Sequence, residues 1–96
     1  MKDVLLYNEL YLCYEKLLTE NERETFLDYY SEDLSLSEIA DNNSISKAAV
    51  SKTVNNVISK LLDYESKLHL NEKNKIVNEV LEKKDLSLLE DYIKLD

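Results

Sequence analysis

The sequence predicts an all-α chain, a compact helical bundle of five to six helices that contains a helix-turn-helix. Three observations predict it. Glycine and proline are both absent from the 96 residues, which removes the preferred residues of tight β-hairpins and the usual punctuation of strand-rich folds. Apolar residues recur at spacings of three and four along most of the chain, the period of one helix face. Three Ser/Thr-x-x-Glu patterns, Thr19 to Glu22, Ser35 to Glu38 and Ser87 to Glu90, are capping boxes in which each partner satisfies an amide left open at a helix start.

Taken in order, Asp3 can cap a first helix running to about Leu18, with Leu6, Leu10, Cys13 and Leu17 on one stripe and Tyr7, Tyr11, Tyr14 and Leu18 on the next. A face this wide belongs deep in a bundle. The box at Thr19 opens a second helix to about Tyr30, with Phe26, Leu27 and Tyr30 on its buried side. Ser35 opens a short third helix, Leu36 to about Asn42, which the polar run Asn42-Asn43-Ser44 breaks. Ser46 then caps a long helix from Lys47, whose Val50, Val54, Val57, Ile58, Leu61 and Leu62 recur down one side, toward about Leu68. Asn71 can cap a further helix holding Ile76, Val77, Val80 and Leu81, and Ser87 a last one before Tyr92 and Ile93. The organisation expected is one domain over residues 1–96, with the helix-turn-helix at about 35–62 and a helical extension at about 63–96.

Composition excludes most chemistry. Without glycine there is no phosphate-cradling loop, dinucleotide fingerprint or nucleophile elbow. One cysteine, Cys13, and one histidine, His69, make neither a disulfide nor a structural zinc site. Glu65, His69 and Glu72 are spaced along one helix face. A carboxylate three residues before the histidine would be needed for a di-metal helix motif, and Ser66 stands there, so the triplet reads as a solvated ion-pair face. The expectation is a non-enzyme with no cofactor, no metal and no catalytic residues. No leader or membrane-span pattern is present, so a cytoplasmic chain without membrane insertion is expected.

The charge is −8 overall but unevenly spread. Residues 1–33 carry three basic and nine acidic side chains, residues 34–63 three of each, and residues 64–96 six and eight. Ser46 to Leu62 holds Lys47, Lys52 and Lys60 and no acid, so any contact with phosphate falls there. A short helix, a polar turn and a longer helix with a polar, basic face are the parts of a helix-turn-helix; the competing reading is a helical hairpin that packs the same way. Ile39, Ala40, Ile45 and Val50 stand where the motif needs a core; Ser44 stands where the turn usually has a glycine and Asn43 where an apolar residue is usual, and because asparagine tolerates positive φ the turn can still form. The second helix would bring Lys47, Ala48, Ser51, Lys52 and Asn55 to base edges, with Ser46 and Lys60 toward phosphates. The acidic balance argues the other way, since three lysines release few counterions. The seven tyrosines read mainly as packing and otherwise as a partner surface.

At Leu17-Leu18-Thr19-Glu20-Asn21-Glu22-Arg23, Tyr29-Tyr30, Leu36-Ser37-Glu38-Ile39-Ala40, Ser46-Lys47-Ala48-Ala49-Val50 and Leu62-Asp63-Tyr64-Glu65-Ser66-Lys67-Leu68-His69-Leu70, the chain resembles the YlxM family of small helix-turn-helix proteins of low-GC Gram-positive bacteria and mycoplasmas. The resemblance runs over roughly residues 4 to 81. More distantly, Leu36 to Leu61 resembles the promoter-reading end of bacterial sigma factors. The resemblance implies a place near the signal recognition particle, because the family's genes commonly neighbour that of the particle's GTPase. Where the family tends to have arginine after the serine cap, this chain has Lys47, which cannot form the bidentate fork of a guanidinium.

The function expected is therefore that of a regulatory or accessory protein of the signal recognition particle pathway, binding the particle's RNA, its GTPase or DNA. The alternatives are a sequence-specific DNA-binding transcriptional regulator and a protein–protein adaptor that binds no nucleic acid. Apolar residues from Ile76 to Ile93 exceed what a small core absorbs from one side, so a homodimer is also expected.

Overall fold

A computed structural model describes residues 4–83 together with Ile93. Among them the chain forms α1 (Val4–Tyr14), one 3₁₀ turn (Glu15–Leu17), α2 (Glu20–Tyr30), α3 (Leu36–Asn43), α4 (Lys47–Leu68) and α5 (Leu70–Lys83), with no strand. The fold class is all-α. The expected box at Ser87 and the helix it would open lie outside the described residues.

Local chemistry accounts for most of the boundaries. Thr19 Oγ1 accepts from the Glu22 amide at 3.2 Å while Glu22 Oε1 accepts from the Thr19 amide at 2.9 Å. Ser35 and Glu38 repeat the exchange, each at 3.1 Å. α1 ends earlier than its apolar pattern suggests, at Tyr14, and the chain continues as the 3₁₀ turn before Leu18 becomes extended. The reason lies in α2: Arg23 Nη1 donates to the Glu15 carbonyl at 3.3 Å and to the Leu18 carbonyl at 3.0 Å. The guanidinium thus satisfies acceptors that a terminating helix leaves open.

The turn between α3 and α4 is a Schellman closure. The Ile45 amide donates to Ala40 at 3.1 Å and the Ser44 amide to Asp41 at 3.3 Å, the two bonds that close a helix around one left-handed residue. That residue is Ser44, with φ 55°. This is the position where the turn usually has a glycine, and Asn43 before it ends α3, its side-chain amide donating to the Ile39 carbonyl at 2.9 Å. Ile45 also departs from expectation, because the closure turns its side chain outward and leaves it 47% exposed. Leu17 and Leu27, expected on buried faces, are exposed as well.

By its internal contacts the chain divides into residues 1–62 and residues 63–96. In the first unit an aromatic group joins α1 to α2. Tyr11 stacks on Phe26 at 4.5 Å with the rings parallel, Tyr30 lies 4.8 Å from Phe26, and Tyr7 meets Tyr30 edge-on at 5.8 Å. The packing reading of the tyrosines holds at Tyr11 and Tyr14, which are buried; Tyr7, Tyr29 and Tyr30 are half-buried. Ile39 and Ala40 of α3 pack with Val50 and Val54 of α4, and Tyr29, Tyr30, Leu34 and Leu36 close over that cluster.

In the second unit α4 gives way to α5 at His69 rather than at Asn71. His69 takes φ 55°, and its carbonyl accepts the first α5 bond, from the Lys73 amide at 2.9 Å. Glu65, one turn back, acts as the cap: its carboxylate accepts from the Asn71 amide at 3.1 Å and the Glu72 amide at 3.3 Å. Negative charge at an N-terminus also suits the helix dipole. Glu65 and Glu72 therefore have structural work, His69 Nδ1 stands 3.6 Å from Glu72, and no metal-holding cluster occurs among the described residues.

Candidate nucleic-acid interface

The face in question begins with a cap. Ser46 Oγ accepts from the Ala49 amide at 3.1 Å, which fixes where α4 starts and hence which residues form its first exposed turns. Val50, Val54, Val57 and Leu61 are buried, so helical geometry sends the residues between them outward. Ser46, Lys47, Ala48, Lys52 and Asn55 are exposed and Ser51 half-buried. These six share one side of the N-terminal half of α4. Ala48 and Ala49 keep the first turn thin, which lets a ligand approach the backbone.

Lys60 is placed differently. Its ammonium lies 2.7 Å from Glu22 Oε2 at the start of α2, with Lys60 half-exposed and Glu22 nearly buried. Burial alone would raise the Glu22 carboxyl; the Lys60 hydrogen bond and the Thr19 amide outweigh it, and the group sits below its ordinary value. Glu22 thus serves two partners, the capping box and a cation on α4. The box was legible from spacing, whereas the ion pair joins residues far apart in sequence and carries no local signal.

Among the described residues neither Lys47 nor Lys52 enters an ion pair. The positive face of the helix-turn-helix therefore narrows to two lysines on the first two turns of α4, flanked by Ser51 and Asn55. The profile of the UPF0122 family, described as "Putative helix-turn-helix protein, YlxM / p13 like", matches residues 1–95. The chain belongs to the UPF0122 family. A UPF0122 protein of Mycoplasma capricolum is 39% identical over 83 residues, covering 86% of this chain and 74% of the relative. One of Ureaplasma parvum is 46% identical over 71 residues, 74% of this chain and 72% of the relative, and one of Fusobacterium nucleatum is 37% identical over 81 residues, 84% and 75%. Membership in UPF0122 agrees with the helix-turn-helix that α3, the Ser44 turn and α4 build. No helix among the described residues is long and apolar enough to cross a membrane.

Proposed function

We propose that this UPF0122 chain is a non-enzymatic, cytoplasmic regulatory or accessory protein that binds nucleic acid through the N-terminal half of α4, in the signal recognition particle pathway. One observation carries the binding reading: Lys47 and Lys52 are exposed on an acid-free stretch of a chain whose net charge is −8. Lysines kept clear of acids on a strongly acidic molecule are a local attraction for phosphate. The pathway rests on the YlxM resemblance alone, and the particle's RNA is the partner the reading favours.

Replacing both Lys47 and Lys52 by alanine is expected to leave thermal stability within about 0.5 kcal/mol, since both lie on the exposed side of α4. Binding to nucleic acid should weaken, and its logarithmic salt slope should shrink by roughly two on duplex DNA or somewhat less on single strands. Titration against the particle's RNA, random duplex and selected duplex sites at several salt concentrations decides. Tight binding to one duplex site, with no affinity for the RNA, makes the protein a transcriptional regulator instead. No nucleic-acid binding at any salt, with capture of the particle's GTPase, makes it an adaptor.

The protein is read as a homodimer. Val77 and Leu81 are exposed at one-turn spacing on α5, Leu81 to 70%, and a second copy of the same stripe would cover them. Sedimentation at micromolar concentration is expected to give twice the chain mass, falling to the single chain when Leu81 and Val77 are replaced by glutamate; a single-chain mass for the unaltered protein excludes the dimer.

A further inference from the structure

The tyrosines of α1 and α2 and the flank of α4 enclose a hollow of about 190 Å³, open to solvent, whose α4 side begins at Ser51, one turn after Lys47 and adjacent in sequence to Lys52. Tyr7, Tyr29 and Tyr30 form its aromatic wall, and Ser51, Asn55 and Ile58 of α4 its other side. Tyr29 meets Tyr30 edge-on at 4.9 Å, as Tyr7 does at 5.8 Å, so the wall is braced rather than loose. The volume far exceeds the roughly 10–15 Å³ that a single water needs. Ser51 and Asn55 are the polar residues on the α4 side of the hollow, and they belong to the same face as Lys47 and Lys52.

We propose that this hollow receives one unpaired adenine of a looped or single-stranded nucleic acid. Its wall supplies what such a base needs: aromatic rings for its flat face, and on Asn55 an amide with one donor and one acceptor side by side. That pair matches the donor and acceptor on an adenine edge. Lys52, beside Ser51 in sequence, and Lys47, one turn earlier, would take the flanking phosphates. A larger hollow of about 410 Å³ at the junction of α2 and α3 shares Tyr29 and Tyr30 but carries Asp33 and Glu38. Its carboxylates repel a phosphodiester, so the smaller hollow is the nucleotide's. A base held here must leave its stack, which a paired duplex resists, so the proposal separates loops from duplexes. It rests on the nucleic-acid reading of α4 and specifies the kind of nucleic acid that face selects.

The test uses the full chain with three probes of one sequence: an RNA hairpin with one adenine in its loop and 2-aminopurine as the reporter base beside it, the same hairpin as DNA, and the fully paired duplex. A fluorescence change at the loop base is expected on binding, with the loop bound at least about tenfold more tightly than the duplex. Asn55→Ala, at an exposed helical position, should weaken loop binding by about tenfold. Ile58→Trp, which fills the hollow from beyond the lysine face, should do the same while leaving duplex binding as it was, its fold checked by circular dichroism. Either sugar in the tighter hairpin supports the pocket, and a preference for RNA shows that the 2′-hydroxyl is read. Equal binding of loop and duplex, or loop binding indifferent to both substitutions, overturns the pocket and leaves the lysine face standing. Failure of all three probes to bind overturns both.

Discussion

Replacing Phe26 by alanine is expected to lower stability by about 3–5 kcal/mol, the usual cost of truncating a fully buried aromatic residue. Phe26 is 1% exposed, lies parallel to Tyr11 at 4.5 Å and touches Tyr30 at 4.8 Å. The deletion removes a whole ring from a packed stack, and neither tyrosine can move into the space without giving up its own contacts. Small domains hold only about 5–15 kcal/mol in total, so the loss is a large share. At roughly 4–8 °C per kcal/mol for a domain of this size, the melting midpoint should fall by at least about 12 °C. Leu12→Ala is the control. Leu12 is also apolar and lies on α1, the helix that the stack joins to α2, but it is 75% exposed, and its replacement should shift stability by no more than about 0.5 kcal/mol. Thermal unfolding followed by circular dichroism reads both; equal effects would show that the aromatic stack is not what holds α1 to α2.

Phe26 and Leu12 also mark how far the sequence could be read. The period of three and four placed helices correctly at α1, α2, α3 and α4, because a helix's own backbone fixes which residues share a face. The boxes at Thr19 and Ser35 were equally legible, since both partners lie within one turn. The same pattern could not rank the leucines. Leu12, Leu17 and Leu27 are exposed while Leu10 and Leu18 are buried, a choice made by the direction from which neighbouring helices arrive. Non-local bonds account for the misplaced boundaries. α1 stops at Tyr14 where Arg23 reaches back to the carbonyls of Glu15 and Leu18, and α5 starts at Leu70 because the Glu65 side chain reaches forward to its first amides. Without glycine, the positive-φ sites among the described residues fall to Asp33, Ser44 and His69; Ser44 was legible as the position where the turn usually has a glycine, whereas Asp33 and His69 carried no such signal. Of the candidate site, the exposed face of α4 was legible from charge and spacing, whereas the tyrosine wall beside it depends on how separate helices pack.

Lys60, expected toward phosphate, pairs with Glu22, and that pair supports the second large prediction. Glu22→Gln keeps the shape of the side chain but removes its charge, while Glu22→Ala removes the capping acceptor as well. Glu22 is 8% exposed and accepts from both the Thr19 amide at 2.9 Å and the Lys60 ammonium at 2.7 Å. Losing this acceptor removes the capping bond and an ion pair whose ammonium is already half-exposed and screened by solvent, a cost of about 1 kcal/mol. Glu22→Ala should show that loss at pH 7 and Glu22→Gln a smaller one. The pH dependence tests the charge itself. Despite burial, which pushes it up, the Glu22 carboxyl is held below its ordinary value of 4.5 by Lys60 and Thr19. A group lowered on folding stabilises the folded chain at pH values above its unfolded value, and the gain disappears as pH falls through the lower, folded one. The gap between the unaltered protein and Glu22→Gln should therefore be full near neutrality and close as pH drops below the ordinary carboxylate range. Lys60→Ala should reproduce part of the neutral-pH loss, and adding it to Glu22→Gln should cost less than the sum of the two, because the pair is already broken. Strict additivity, or a gap that persists unchanged in acid, would mean that the ion pair contributes nothing and that Glu22 matters only as the capping residue of α2.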